Sequence, residues 1–142
     1  MKQIPESLLN TFRKYDTPTI VNSLELLDSK FRTSCFTTEQ MICVDTSLPP
    51  IVGYARTATI SASSEVDPNT KRDRSLAYYE YVSCGTAPFI SVIQDVDESP
   101  GFGAFWGEVN SNIHNALGVI GVVTNGSVRD LDVLAAGFQV LA

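Results

Sequence analysis

Basic residues are few in this chain. Ten Lys and Arg stand against sixteen Asp and Glu, a formal net charge of -6. No basic run builds the positive face that a general nucleic-acid binder needs, so no nucleic-acid partner is expected. The nearest candidate, Lys71-Arg72-Asp73-Arg74, is broken by an acid and reads as a solvated loop. Histidine is scarcer still, with His114 alone. Its place in the surrounding helical pattern is off the apolar stripe and exposed, which leaves no histidine-based triad. Cys35, Cys43 and Cys84 are odd in number and lack C-x-x-C spacing. That excludes a disulfide framework and a zinc pattern, and the three read as small core residues. No apolar run approaches the roughly 20 residues of a membrane span, and the N-terminus lacks the apolar core of a signal peptide. A cytoplasmic protein with no membrane partner is expected.

What is present is ordinary for one globular domain: 142 residues, 44% apolar and 18% charged. A chain of this length can bury a substantial core. Residues 1–50 read as N-terminal helices and a connection, and residues 51–142 as an α/β core. Leu8, Leu9, Phe12 and Tyr15 share a helical face. Thr17-Pro18 starts a second helix, with Thr17 as a candidate cap and Ile20, Val21, Leu24 and Leu27 as its stripe. Residues 51–62 alternate as a strand, with small residues along one face that predict close approach by another layer. Residues 63–74 read as a polar loop turning at Asp67-Pro68-Asn69, and residues 74–83 as a short helix ended by Gly85.

The second half alternates more clearly. Residues 88–93 are a buried strand. A loop over 94–103 carries Asp95, Asp97, Glu98 and two glycines. Residues 108–117 form a helix with Val109, Ile113, Ala116 and Leu117 on its buried face. Gly118 closes it. Residues 119–124 are a second buried strand, Asn125-Gly126 turns, and a short helix covers 130–136. Residues 138–141 begin another strand. Strand, helix, strand, helix, strand favours parallel pairing.

In a parallel sheet, the loops leaving neighbouring strand ends share one edge. A helix of ten residues covers roughly 15 Å and a strand of six roughly 20 Å, so the chain leaving near Glu108 returns to the same edge near Asp130. The helix-start amides of Gly107, Glu108 and Val109 suit an anion. Arg129 can grip a carboxylate with its planar fork. Asp130 can bind a hard cation such as Mg²⁺, which keeps most of its waters. Together these groups suit a 2-oxo acid chelated through its carboxylate and keto oxygen. Plainer roles stay open: Asp130 as a helix cap, Arg129 as half of an ion pair, Glu108 as first-turn charge. Asp95 and Asp97 are open to metal ligation, but a solvated loop is the better expectation. Gly101-x-Gly103-x-x-x-Gly107 is a poor dinucleotide fingerprint, because its third glycine falls one position late and the next strand ends in Asn125.

Trp106-Gly107-Glu108-Val109, then Leu117 to Asp130 (LGVIGVVTNGSVRD), then Gly137-Phe138-Gln139-Val140 resemble the RraA-like family. That family includes class II 4-hydroxy-4-methyl-2-oxoglutarate aldolases and regulators of ribonuclease activity. Val52 to Thr59 also looks like the family's early strand. The resemblance implies a swivelling β/β/α fold with a parallel-rich sheet, assembled as a trimer or hexamer with sites between subunits. It implies a lyase that cleaves a 4-hydroxy-2-oxo acid to pyruvate by retro-aldol chemistry, with oxaloacetate decarboxylation through the same enolate. It implies Mg²⁺ or Mn²⁺ at Asp130, a pyruvoyl group on Arg129, and substrate-binding amides at Gly107, Glu108 and Val109. The regulator branch lacks this Asp. It supplies the alternative, a non-catalytic protein that binds a ribonuclease or another protein partner. The family often carries Asp where this chain has Asn125. The chain also stops at Ala142 in an expected strand, so either it is incomplete or it is a shortened relative, with an edge open to aggregation.

Overall fold

The computed structural model describes residues 3–34 and 36–142. The expectation for Cys35 falls outside them. Helix α1 runs Glu6–Phe12 and helix α2 runs Thr17–Leu27. Asp16, not Thr17, caps α2, accepting from the Thr19 amide at 3.0 Å. Leu9 is the one buried residue of α1, and α2 has none. Of the expected stripe of α2, Ile20, Val21 and Leu24 are half-buried and Leu27 is exposed.

Strand β1 spans Tyr54–Ile60, helix α3 Pro68–Ser83, and strand β2 Phe89–Asp95. Helix α4 spans Glu108–Ala116, strand β3 Val119–Thr124 and strand β4 Gln139–Leu141. The four strands form one parallel sheet in the order β1-β2-β3-β4. The α/β expectation with parallel pairing holds.

Helix α3 is longer than its apolar spacing implied. The expected turn at Asp67-Pro68 is the helix start: the Asp67 carboxylate accepts from the amides of Asn69 and Thr70, and Pro68 opens the first turn. Asp at the cap and Pro at the first position favour a helix as strongly as they favour a turn. Lys71, Arg72, Asp73 and Arg74 therefore lie exposed on this helix, not in a loop. Cys84 is exposed and Cys43 half-buried, so neither is the core residue expected.

Helices α3 and α4 touch across one sheet face, where the Tyr79 hydroxyl donates to the Asn110 side chain. Phe89, Ile93, Val119, Val122 and Val140 pack beneath them with Val82, Trp106 and Phe138. On the opposite face Ala55, Thr57, Thr59, Val92 and Gln94 are exposed. The small-residue face of β1 thus has no second layer over it among the described residues. At the far edge, the Ile42 and Ala142 amides each donate to the other's carbonyl, and the Val44 amide donates to Val140. This antiparallel segment covers the outer edge of β4, which the sequence alone left open. The expected helix over 130–136 is only a 3-10 turn, Leu131–Val133. Its continuation is diverted, because the Ala135 amide donates to the Ser111 hydroxyl at 2.9 Å instead of extending a helix.

Candidate active site

The site lies at the carboxyl ends of β2 and β3, where loops of a parallel sheet converge. Gly107 caps α4, and its carbonyl accepts the Ser111 amide at 3.0 Å. The first amides of a helix have no partner within it, so those of Glu108 and Val109 are available to an anion. Residues 106 and 128 pair as a parallel bridge, and the Arg129 amide donates to the Trp106 carbonyl at 3.0 Å. The two features that sequence reasoning placed on one edge are therefore hydrogen-bonded to each other.

Gly107 permits a close contact. A Cβ there would lie 2.6 Å from Asp130 Oδ2, 3.0 Å from Arg129 Cγ and 3.3 Å from Arg129 Nε. The Arg129 and Asp130 side chains occupy the space a larger residue would fill. We expect Gly107→Ala to displace both and to lower stability by about 1–3 kcal/mol through overpacking. A thermal melt alongside a ligand titration would separate the two effects, and an unchanged affinity would show that the contact is incidental.

Asp130 does not cap the turn that follows it, and its side chain accepts no amide there. It is the one non-glycine residue with positive φ among the described residues, at φ 56. Strain of this kind is expected where surrounding structure holds a side chain in place. Arg129 Nε stands 3.4 Å from Asp130 Oδ2, with the side chains 66% and 44% exposed. A pair so exposed is worth about 0–1 kcal/mol, so both groups remain free to take ligands. Glu108 and Val109 are exposed beside them. The buried face of α4 is thus not the apolar stripe: Val109 and Ala116 face solvent, while Ser111 and His114 are buried.

His114 is fully buried, contrary to its expected exposure. Its Nδ1 lies 2.6 Å from the Asn110 carbonyl, and its Nε2 lies 2.9 Å from the Tyr78 hydroxyl. A carbonyl only accepts, so Nδ1 carries the proton and Nε2 accepts from Tyr78. Burial holds the imidazole below its ordinary pKa, hence neutral, and pushes Tyr78 up to about 12. Trp106, Phe105, Tyr78 and Tyr79 surround the ring. Tyr78 and Tyr79 come from α3, distant along the chain, so only the polar residues Asn110, Ser111 and His114 within α4 hint at this buried cluster.

Asp95 and Asp97 are not solvated: both are buried, and donors within the chain engage their carboxylates. The Asp95 carboxylate accepts from the Gly101 amide at 2.7 Å and the Asp97 amide at 3.0 Å. Asp97 accepts from the hydroxyls of Ser61 and Ser63 and from the amides of Ala62 and Ser63. The two hydroxyls first, and then the amides, hold its carboxyl down to about 2. A depressed folded pKa stabilises above the unfolded value near about 4 and is lost as pH falls toward about 2. Asp97→Asn should therefore lower the melting temperature at neutral pH. The gap from wild type should close between about pH 4 and pH 2, and a gap constant with pH would contradict this.

Asn125, where an acid was expected, joins the ends of β2 and β3. Its Oδ1 accepts from the Asp95 amide at 2.7 Å and its Nδ2 donates to the Asp95 carbonyl at 3.1 Å. An aspartate could not make the second bond. Ser127 then donates to the Gly101 carbonyl at 2.6 Å, tying the glycine loop to the turn. Gly101 has φ 85, in the region that favours glycine.

For a metal, no group of three or more His, Cys, Asp or Glu side chains gathers among the described residues. Asp130 belongs to no such group, and Nε of Arg129 approaches its Oδ2. A hard cation that keeps several waters and takes one protein carboxylate fits this donor set, whereas a zinc-type cage does not.

A family model described as RraA-like, Aldolase/RraA, matches residues 17–142. No curated protein matches the chain. A crystal structure described as of "novel cellulases from microbes associated with the gut ecosystem" superposes with a TM-score of 0.64 at 15% identity. The match covers 99% of this chain and 60% of that one. At that identity the likeness is one of fold, and the chain spans 60% of that structure's length.

Proposed function

Because the chain belongs to the RraA-like family, which holds both aldolases and regulators, we propose that it is a divalent-metal-dependent lyase. Its substrate is a short 4-hydroxy-2-oxo acid, cleaved by retro-aldol chemistry to pyruvate, and it also decarboxylates oxaloacetate. One observation carries the reading: the Arg129 and Asp130 side chains fill the space left by Gly107 at the start of α4. A guanidinium, a carboxylate and helix-start amides then converge on one small volume.

Arg129 grips the substrate carboxylate and stabilises negative charge that develops at the keto end. The amides of Glu108 and Val109 donate to the same anionic region, assisted by the dipole of α4. Asp130, through its less engaged Oδ1, would hold Mg²⁺ or Mn²⁺. When bound, such an ion supplies Lewis-acid polarisation of the keto group. The aromatic packing of Trp106 keeps water from the floor of the site. A homo-oligomer is part of the proposal, since the exposed site leaves room for a neighbouring subunit.

Pyruvate release from oxaloacetate, followed with Mg²⁺ and then with EDTA, tests the proposal. Activity is expected with the ion and should fall to background with chelator. Turnover that survives EDTA removes the metal, and no release from any oxo acid removes the lyase. The second reading, a non-catalytic regulator that binds a protein partner, rests on Asn125. Its side chain is engaged with the Asp95 backbone and adds no charge to the site. Clear turnover without any partner in pull-downs would dispose of it.

A further inference from the structure

Phe105, Trp106 and Gly107 form a short strap between α4 and the turn that carries Arg129. Its first two carbonyls are bound by different elements. That of Trp106 accepts the Arg129 amide at 3.0 Å. That of Phe105 accepts Nδ2 of Asn110 at 2.6 Å. Asn110 lies in the first turn of α4, three residues past the Gly107 cap. Its Oδ1 accepts from the Tyr79 hydroxyl of α3 at 3.2 Å, and its own carbonyl lies 2.6 Å from His114 Nδ1. The orientation of the Asn110 amide follows from its partners, because the Phe105 carbonyl can only accept. One side chain thus joins α3, the first turn of α4 and the strap.

We propose that Asn110 is a positioning residue of the site: through the Phe105 carbonyl it sets the strap from which Arg129 hangs and the direction of the Glu108 and Val109 amides. Asn110 touches no substrate. It acts because its side chain and the Ser111 amide hold the strap on the α4 side, while the Arg129 amide holds it on the other. Without Nδ2, the strap keeps the packing of Trp106 on His114 and Phe138 and the Gly107 bond to Ser111 but loses the bond that fixes Phe105 against α4. The inference takes its ligand class from the oxo-acid reading above, while the mechanical link stands on the hydrogen bonds alone.

The test compares Asn110→Ala, Asn110→Asp and Tyr79→Phe with wild type. Asn110→Asp keeps the shape and the acceptor for Tyr79 but removes the donor to Phe105. Amide hydrogen exchange is followed at Arg129, with Val122 in the core of the sheet as reference. Both Asn110 variants should speed exchange at Arg129 by about tenfold relative to Val122, the scale of one lost hydrogen bond, and Tyr79→Phe by much less. Unchanged exchange at Arg129, or equal acceleration at Val122, overturns the positioning role. Oxalate, a stable mimic of the oxo-acid anion, is then titrated by calorimetry with Mg²⁺. Affinity should fall by about tenfold in both Asn110 variants, and affinity equal to wild type overturns the link to the site. A wild type that binds no oxalate removes the oxo-acid reading, and exchange at Arg129 then decides the positioning role by itself.

Discussion

Arg129→Ala is expected to lower kcat for pyruvate release by roughly 10²–10³, the usual effect of losing one group that stabilises developing charge. The fold should survive. The Arg129 side chain is 66% exposed, and its ion pair with Asp130 has little to contribute at the surface. The melting temperature should therefore stay close to wild type while activity collapses. That split separates a functional guanidinium from a structural one. The backbone amide that bonds the Trp106 carbonyl is untouched by the substitution, so the strap stays in place. Steady-state kinetics on oxaloacetate with saturating Mg²⁺, beside a thermal melt, make the measurement. A loss below tenfold would remove Arg129 from the chemistry. Arg129→Lys keeps the charge but not the planar fork, and it should recover only part of the rate.

Trp106→Ala should be the most destabilising single change in the region, at about 3–5 kcal/mol. Trp106 is 1% exposed. Its ring stacks on Phe138 at 5.7 Å, meets Phe105 edge-on at 5.4 Å, and lies 4.5 Å from His114. Its indole nitrogen has no hydrogen-bond partner among the described residues, so the loss is one of packing and cavity formation. The melting temperature should drop by roughly 10 °C or more for a domain of this size. Trp106 is the single tryptophan of the chain, so circular dichroism is the suitable probe. A loss below about 1 kcal/mol would mean the surrounding rings close the gap. Because the strap and the bridge to Val128 begin at this residue, ligand binding should weaken along with stability.

The pattern of elements was legible because it is written in local chemistry. Short apolar runs such as Val119–Thr124 read as buried strands. Gly85 and Gly118 read as chain reversals, and both have positive φ. Parallel pairing followed from the alternation of strand and helix. The meeting of the Gly107 and Arg129-Asp130 segments followed from element lengths. The misreadings were also physical. A helix start at Asp67-Pro68 uses the same residues as a turn, so local chemistry alone makes α3 too short. The stripe of α4 was judged by hydropathy, which ranks Val109 above Ser111 and His114.

The sequence by itself determined the order of elements, the parallel sheet, the family, and which two loops share an edge. All of these depend on neighbours close along the chain or on lengths that add up. The tertiary structure alone decided which face of α4 is buried, since Tyr78 of α3 and the Ala135 amide supply the partners that make Ser111 and His114 inward residues. It also turned Asp95, Asp97 and Asn125 from candidate site groups into the lock that holds the strand ends. A polar side chain is buried where its hydrogen bonds are met, and for Ser111, His114 and Asp97 some of the groups that meet them lie between 24 and 36 residues away.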